Sequence, residues 1–148
     1  MVKAVINQKT YVDDAEKVIK NLYAVNEDTN KGTNRSNMIT TSKIRRILAM
    51  SADIYNYVMS QETGNPDELM AKIDYLRMRC VYECGREAVV KRFVDGSKLL
   101  DALVYIKSLT ASDDVDNEKL YVDIKREYIL FNRYLEALVA YHRFYGNE

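Results

Sequence analysis

Residues that interrupt helices are rare in this sequence, and their rarity constrains the fold more than any other feature. One proline and five glycines occur in 148 residues, whereas β-sandwiches need turn residues every 8–12 positions or so. Between these interruptions, apolar residues recur three and four positions apart, as they do on one face of an α-helix. The chain is also long enough for one domain with its own core. We therefore predict a single all-α domain that covers residues 1–148.

The periodic segments predict a bundle of about five helices with a long C-terminal helix. The first four span about residues 11–26, 40–62, 65–94 and 97–109. The fifth starts from a cap at Ser112 or Asp116 and runs to about residue 145. An N-terminal segment at residues 1–10 precedes the bundle. The polar, aperiodic stretch at residues 27–40 is predicted to be a flexible loop.

Two helix starts carry clear capping signals. Thr40 or Thr41 can cap the second helix. Asn65 can cap the third, followed by Pro66 at the first helical position and Glu68 three residues after the cap. Gly85 is expected to mark a kink or a close helix crossing within the third helix. The fourth helix is expected to bury the residues Leu99, Leu100, Leu103, Val104 and Ile106.

The charges cancel overall but are unevenly distributed along the chain. The sequence has 22 basic and 22 acidic residues, which argues against a free-standing nucleic-acid binder with a strongly basic domain. Residues 31–60, however, contain five cations and one carboxylate, and residues 101–148 contain six cations and nine carboxylates. Chance variation between solvated faces explains this asymmetry equally well. A basic part and an acidic part would also suit a polyanion and head-to-tail stacking of copies.

The start of the second helix is the first candidate site. Its first two turns contain Lys43, Arg45 and Arg46, and no carboxylate occurs between Asp28 and Asp53. All three cations fall outside the apolar stripe of that helix at about 100° per residue. Exposed N–H groups, hydroxyls and cations at a helix start are typical of phosphate-backbone contacts.

The third helix carries a second candidate site. Tyr75, Arg79, Tyr82 and Arg86 recur at helical spacing and form a narrow band, which Lys72 flanks and Phe93 continues. Arginine can neutralise a phosphate and tyrosine can stack on a base, so the band suits a single-stranded or splayed nucleic acid. The alternative is a second packing seam with buried tyrosines and an Arg79–Glu83 ion pair. Additional RNA or subunit contacts are expected from Arg77, Lys91 and Arg92.

Few residues could support catalysis or bind a metal. His142 is the only histidine, and it continues an apolar row, which favours a packed or rim side chain. The carboxylate pairs Asp13-Asp14 and Asp113-Asp114 lie at helix starts, where the helix dipole explains them. Cys80 and Cys84 are too few for a zinc site and are expected to be buried thiols. We predict no enzyme activity, cofactor or metal, and a cytoplasmic protein without a signal peptide or membrane span.

Several motifs together resemble one family. Four motifs follow one another along the chain: the segment 11–19, the helix start Thr40–Leu48, the element Tyr82-Glu83-Cys84-Gly85-Arg86 and the segment Val90–Val94. In these motifs and in their order, the chain resembles the small helical subunit of type III-A CRISPR effector complexes of the Csm type. The resemblance covers about residues 11–145. It implies a non-catalytic subunit that stacks into a filament with copies of itself, beside the backbone subunits and the large signalling subunit.

The resemblance also implies contacts to the backbone of the crRNA and of the single-stranded target RNA, because the guide itself reads sequence. Carried onto this chain, the RNA-binding residues are Lys43, Arg45, Arg46, Arg79 and Arg86. Two alternatives remain from other classes. One is a helical protein-interaction or self-associating scaffold module without RNA binding, which the zero net charge favours. The other is a small helical DNA-binding regulator, although the sequence lacks a clear helix-turn-helix with a basic second helix.

Overall fold

Six α-helices make up the part of the chain that the structure, a computed structural model, describes: residues 3–29, 38–111 and 116–146. The helices are α1 (Tyr11–Thr29), α2 (Thr41–Met59), α3 (Pro66–Arg86), α4 (Ala88–Ser97), α5 (Leu99–Ser108) and α6 (Asn117–Gly146). A short 3₁₀ turn, Leu109–Ala111, follows α5. These described ranges contain no β-strand. The all-α prediction with a long C-terminal helix is confirmed, with one helix more than the five expected.

The extra helix arises because the predicted third helix is two helices. Glu87 is extended (φ −140°, ψ 123°) and separates α3 from α4. Apart from the adjoining residues and the backbone of its own helix, no heavy atom lies within 4 Å of where a Cβ on Gly85 would be. Of the two alternatives for Gly85, the close helix crossing is therefore wrong. The break resets the helical phase, and Phe93 is buried in the core instead of continuing the exposed band on α3.

Helix α6 forms the centre of the bundle. It contacts α1, α2, α3 and α5 and buries several large rings, including Tyr121, Tyr128 and Phe131. The Tyr128 hydroxyl donates to the Ser51 carbonyl oxygen at 2.7 Å. Ser51 Oγ in turn donates to Asn132 Oδ1 at 2.7 Å. These buried hydrogen bonds satisfy polar groups inside the core and fix α2 against α6.

Helices α2 and α3 form an antiparallel hairpin. Helix α2 ends at Met59 instead of near residue 62, and six residues lead to α3. The predicted cap is confirmed, because Asn65 Oδ1 accepts from the Asp67 N–H at 2.8 Å and from the Glu68 N–H at 3.3 Å. The hairpin brings the start of α2 beside the end of α3, where Lys43 forms an ion pair with Glu87.

The region of the predicted loop is more ordered at its ends than expected. Helix α1 extends to Thr29, so the loop starts later than residue 27, and residues 30–37 lie outside the described ranges. Met38 and Ile39 are buried. The Ile39 carbonyl oxygen lies 2.7 Å from His142 Nε2 on α6, which attaches the segment before α2 to the central helix.

The burial pattern of α5 differs from the prediction at one residue. Leu99, Leu103 and Ile106 are buried as expected, and Leu100 is half-buried. Val104 is 40% exposed, so its predicted burial is wrong. It lies well over 90° around the helix from the buried row, because residues five apart are about 140° from each other at 100° per residue.

Candidate nucleic-acid interface

The start of α2 has the cap that the sequence indicates. Thr40 is extended, and its Oγ1 accepts a hydrogen bond from the Lys43 N–H at 3.3 Å. The first turn contains no carboxylate. The positive end of the helix dipole therefore lies beside Lys43 with no acidic side chain from the same turn opposing it.

The three cations of this helix start do not share one face. Residues 46, 50, 53 and 57 follow each other at three- and four-residue spacing, and the last three line a groove between α2 and α3. Arg46 and Lys43 therefore lie on the side of α2 that faces this groove. Arg45 is exposed and lies about 100° away from Arg46 on the side away from the groove. The structure thus brings Lys43 and Arg46 together and separates Arg45 from them.

Two residues of the band on α3, Tyr75 and Arg79, lie on the opposite wall of the same groove. Tyr75 and Tyr82 are 61% and 55% exposed, which contradicts the packing seam with buried tyrosines. The guanidinium carbons of Arg79 and Arg86 lie 5.6 Å and 5.7 Å from the centre of the Tyr82 ring. These are cation–π distances, so the ring keeps the two arginines on one face of the helix.

One buried carboxylate pairs with both of these arginines. Glu83 lies 3.7 Å from a guanidinium nitrogen of Arg79 and 3.7 Å from one of Arg86. The alternative prediction for this band is a packing seam with buried tyrosines and an Arg79–Glu83 ion pair. The structure confirms only the ion pair. Both distances exceed hydrogen-bond range, and each guanidinium has five N–H donors. Donors on both arginines therefore stay available to a phosphate.

The groove between α2 and α3 has a volume of about 490 Å³. Its rim and walls combine aromatic, apolar and charged side chains: Met50, Asp53, Ile54, Tyr57, Glu68, Ala71, Lys72, Tyr75, Leu76 and Arg79. The volume lies within the range of about 300–1,000 Å³ that is usual for small-ligand sites. Antiparallel α2 and α3 align the groove with the cations at the start of α2 and the end of α3.

The remaining predicted contacts lie away from this groove. Arg77 is half-buried and pairs with Asp74 at 3.3 Å, and Asp74 also accepts from Lys107 on α5 at 2.7 Å. Lys91 pairs with Asp95 at 2.7 Å on the surface of α4. Arg92 is exposed on the same helix. None of these three side chains lines the groove.

The thiols and the histidine are packing residues. Cys80 is buried and Cys84 is half-buried, so the prediction holds fully for the first only. Burial raises the pKa of the Cys80 thiol to about 12 and also raises the pKa of Cys84, which keeps both thiols protonated at neutral pH.

His142 is buried in the core, as the apolar row predicts. Asp13 and Asp14 lie in the first turn of α1, whereas Asp113 and Asp114 lie outside the described ranges.

Comparison with known proteins identifies the family. The family model described as Csm2 Type III-A matches residues 16–148. A protein of Streptococcus thermophilus named CRISPR system Cms protein Csm2 is 36% identical over 145 residues, which cover 98% of each chain. The chain belongs to the Csm2 family. Proteins of the same name from Mycobacterium tuberculosis strain H37Rv and Enterococcus italicus are 35% and 33% identical, over 72% and 74% of this chain and 74% and 69% of their own lengths.

Membership in the Csm2 family makes the chain a small subunit of a type III-A CRISPR complex. The resemblance seen in the sequence is thereby confirmed at the level of the family. None of the helices in the described ranges is long and apolar enough to cross a membrane. The roles expected for individual cations stay predictions.

Three residues that line the groove of this Csm2-family chain were not predicted from the sequence. Asp53 and Tyr57 on α2 and Glu68 on α3 line it, and none stood out as a functional residue. A weak signal exists in the spacing, since Tyr57 follows Arg46 by eleven residues, which is just over three full helical turns. Their convergence depends on the α2–α3 hairpin, which spacing within one helix does not reveal.

Proposed function

We propose that this chain is a non-catalytic subunit that binds the sugar-phosphate backbone of the crRNA or of the single-stranded target RNA along the α2–α3 face. One observation carries the proposal: a chain with zero net charge has three arginines in or beside one end of a groove. Arg79 lines the groove, Arg46 lies one helical turn before the lining residue Met50, and Arg86 shares the Tyr82 ring with Arg79. Arg46 makes no ion pair or hydrogen bond within the described ranges. Its charge is therefore available to a phosphate, which a guanidinium binds in a bidentate manner.

Lys43 has a smaller part in this proposal than the sequence indicates. Its ammonium pairs with Glu87, so the pair contributes no net charge to the face. Arg79 and Arg86 share Glu83, and that group of three keeps one positive charge. A local basic strip of this kind suits a subunit that other proteins position against RNA, because docking replaces long-range attraction.

The proposal includes partners other than RNA. In it, copies of the chain stack on one another, next to the backbone subunits and the large signalling subunit of the complex. Exposed apolar residues such as Val12, Met59, Val122 and Phe144 on several helices support contacts with proteins, because buried interface cores are rich in Met and aromatic residues.

Charge reversal at two adjacent arginines tests the RNA contact. In the reconstituted complex, Arg46→Glu is expected to weaken target-RNA binding roughly tenfold, because a charge-assisted hydrogen bond contributes about 1.5–3 kcal/mol. Arg45→Glu is the matched control: it makes the same change one residue away, on the side away from the groove. Filter binding at several salt concentrations gives the affinity and its salt dependence, and gel filtration checks incorporation.

Equal losses for the two variants, or no loss for Arg46→Glu, would contradict the proposed RNA face. Lys43 is left unchanged in this experiment because Lys43→Glu would place a second carboxylate beside Glu87. In the proposed arrangement, loss of one phosphate contact also reduces the slope of log affinity against log salt by about 1.

The second candidate is a protein-interaction module without RNA binding. The exposed row Tyr75, Met78 and Tyr82 on α3 favours it, because spacings of three and four residues form an apolar seam for a partner helix. Complex assembly that is insensitive to salt, together with RNA affinity that neither arginine variant changes, would select this candidate.

A further inference from the structure

The inside of the α2–α3 groove differs in chemistry from its basic end. Tyr57 OH donates to Glu68 Oε1 at 2.8 Å and connects the two walls at one end. Arg46 precedes Tyr57 by eleven residues and Arg79 follows Glu68 by eleven residues. In an antiparallel hairpin both arginines therefore lie about 16 Å from this hydrogen bond, at the same end of the groove.

Two carboxylates line the groove away from the arginines. Asp53 on α2 and Glu68 on α3 both line it, and Asp53 has no ion-pair partner within the described ranges. The cation Lys72 also lines the groove, with its ammonium over the Tyr57 ring. A phosphate is repelled by such carboxylates, whereas N–H and O–H groups donate hydrogen bonds to them. The charges thus favour a ligand with its anionic part at the arginines and a neutral, donor-bearing part inside the groove.

The remaining lining suits a flat ring. Ile54 and Leu76 are buried apolar residues that line the groove beside the rings of Tyr57 and Tyr75. The Tyr57 ring is held in place by the hydrogen bond to Glu68 and by Lys72, whose ammonium lies 4.7 Å from the ring centre. That hydrogen bond is also the main cause of the raised pKa of Tyr57, so its hydroxyl stays protonated as a donor.

We propose that the α2–α3 groove binds one unpaired nucleotide of the RNA, with its phosphate at Arg46 and Arg79 and its base against Tyr75. The amino and imino groups of the base, or the ribose 2′-OH, donate to Asp53 and Glu68. Stacking of unpaired bases on tyrosine is a common mode of single-strand RNA recognition. The inference rests on the proposed RNA contact and deepens it, because it adds a base-binding site to a backbone-binding surface.

A fluorescent base in the target RNA tests this site. The reconstituted complex is mixed with target RNAs that carry 2-aminopurine at successive positions, and the fluorescence of each is compared with that of the free RNA. At one or more positions the complex is expected to quench the fluorescence by stacking. Tyr75→Ala should restore the fluorescence at those positions and weaken RNA binding roughly fivefold, whereas Tyr75→Phe should retain the quenching.

Matched variants distinguish this inference from the function on which it rests. Val81→Ala shortens another exposed apolar side chain of α3 that does not line the groove, and it should change neither readout. If Arg46→Glu weakens binding while Tyr75→Ala leaves every fluorescence value unchanged, the nucleotide site is overturned and the backbone contact stands. If Tyr75→Ala releases the subunit from the complex, the face docks a protein and the nucleotide site is also overturned.

Discussion

Glu83 lies between Arg79, one turn before it on α3, and Arg86, almost one turn after it. Charged residues are rarely buried unless they are paired, and the two guanidinium groups at 3.7 Å supply that pairing. Tyr82, the preceding residue, makes cation–π contacts with both arginines. A single buried carboxylate and one exposed ring therefore set the direction of two cations. We therefore expect each arginine alone to be replaceable for folding, because the other still pairs with Glu83.

Arg86→Ala tests this separation of folding from binding. The Arg86 side chain is half-exposed, so the variant should lower the free energy of unfolding by less than about 1 kcal/mol in urea denaturation. Its RNA affinity in the complex should fall, with a salt slope smaller by about 1. A loss of more than about 3 kcal/mol in stability would make Arg86 a folding residue instead.

At the scale of helices, capping residues decide where the elements of the interface begin and end. Asn65 ends the connection after α2 and caps α3, because its side chain accepts two backbone hydrogen bonds. Lys98 lies between α4 and α5 with a positive φ of 62°, which a lysine adopts only at a cost. Asn65 and the extended Glu87 are the boundaries of α3, whereas Lys98 separates the two helices that follow it.

Replacement of the cap should destabilise the protein without changing its surface charge. Asn65→Ala is expected to lower the free energy of unfolding by about 1 kcal/mol, because two N–H groups at the start of α3 lose their acceptor. Asn56→Ala is the matched control, since Asn56 is exposed inside α2 and alanine has the higher helix propensity. Urea denaturation of both should show a loss only for Asn65→Ala; equal effects would contradict the capping role.

At the scale of the whole molecule, α6 connects the start of the basic surface to the core. His142 on α6 lies 2.7 Å from the carbonyl oxygen of Ile39, and Thr40, the next residue, caps α2. The direction of α2 is further fixed by the hydrogen bonds of Ser51 with Tyr128 and Asn132. The groove therefore lies on a rigid support although its own rim is exposed.

Loss of the histidine should test this connection. His142→Ala leaves the buried Ile39 carbonyl without its partner and should lower the free energy of unfolding by about 1–3 kcal/mol. Arg143→Ala, at the adjacent and exposed residue, should change it by less than about 0.5 kcal/mol. Thermal or urea unfolding measures both variants. A neutral His142→Ala would mean that the contact with Ile39 contributes little to the fold.

Local sequence determined most of the helices. Short-range rules predict the caps at Thr40 and Asn65 and the helical spacing of buried residues on α2, α3 and α6. The same rules predict that the tyrosines and cations are exposed. The motifs in Thr40–Leu48 and Tyr82–Val94 also led to the correct family. These features are readable in the sequence because a helix satisfies its backbone hydrogen bonds within itself, so each stretch reports its own periodicity and ends.

Only the tertiary structure decided which predicted residues act together. The extended Glu87 broke the third helix and moved Phe93 into the core, although no proline or cap motif marks that position. Arg45 and Arg46 lie on different sides of α2, and Arg77 and Arg79 lie on different sides of α3. The packing of α2 against α3 decides which of these sides faces the groove. Asp53, Tyr57 and Glu68 converged on the groove for the same reason. Contacts between helices depend on crossing geometry and on the whole core, which the periodicity of one helix does not contain.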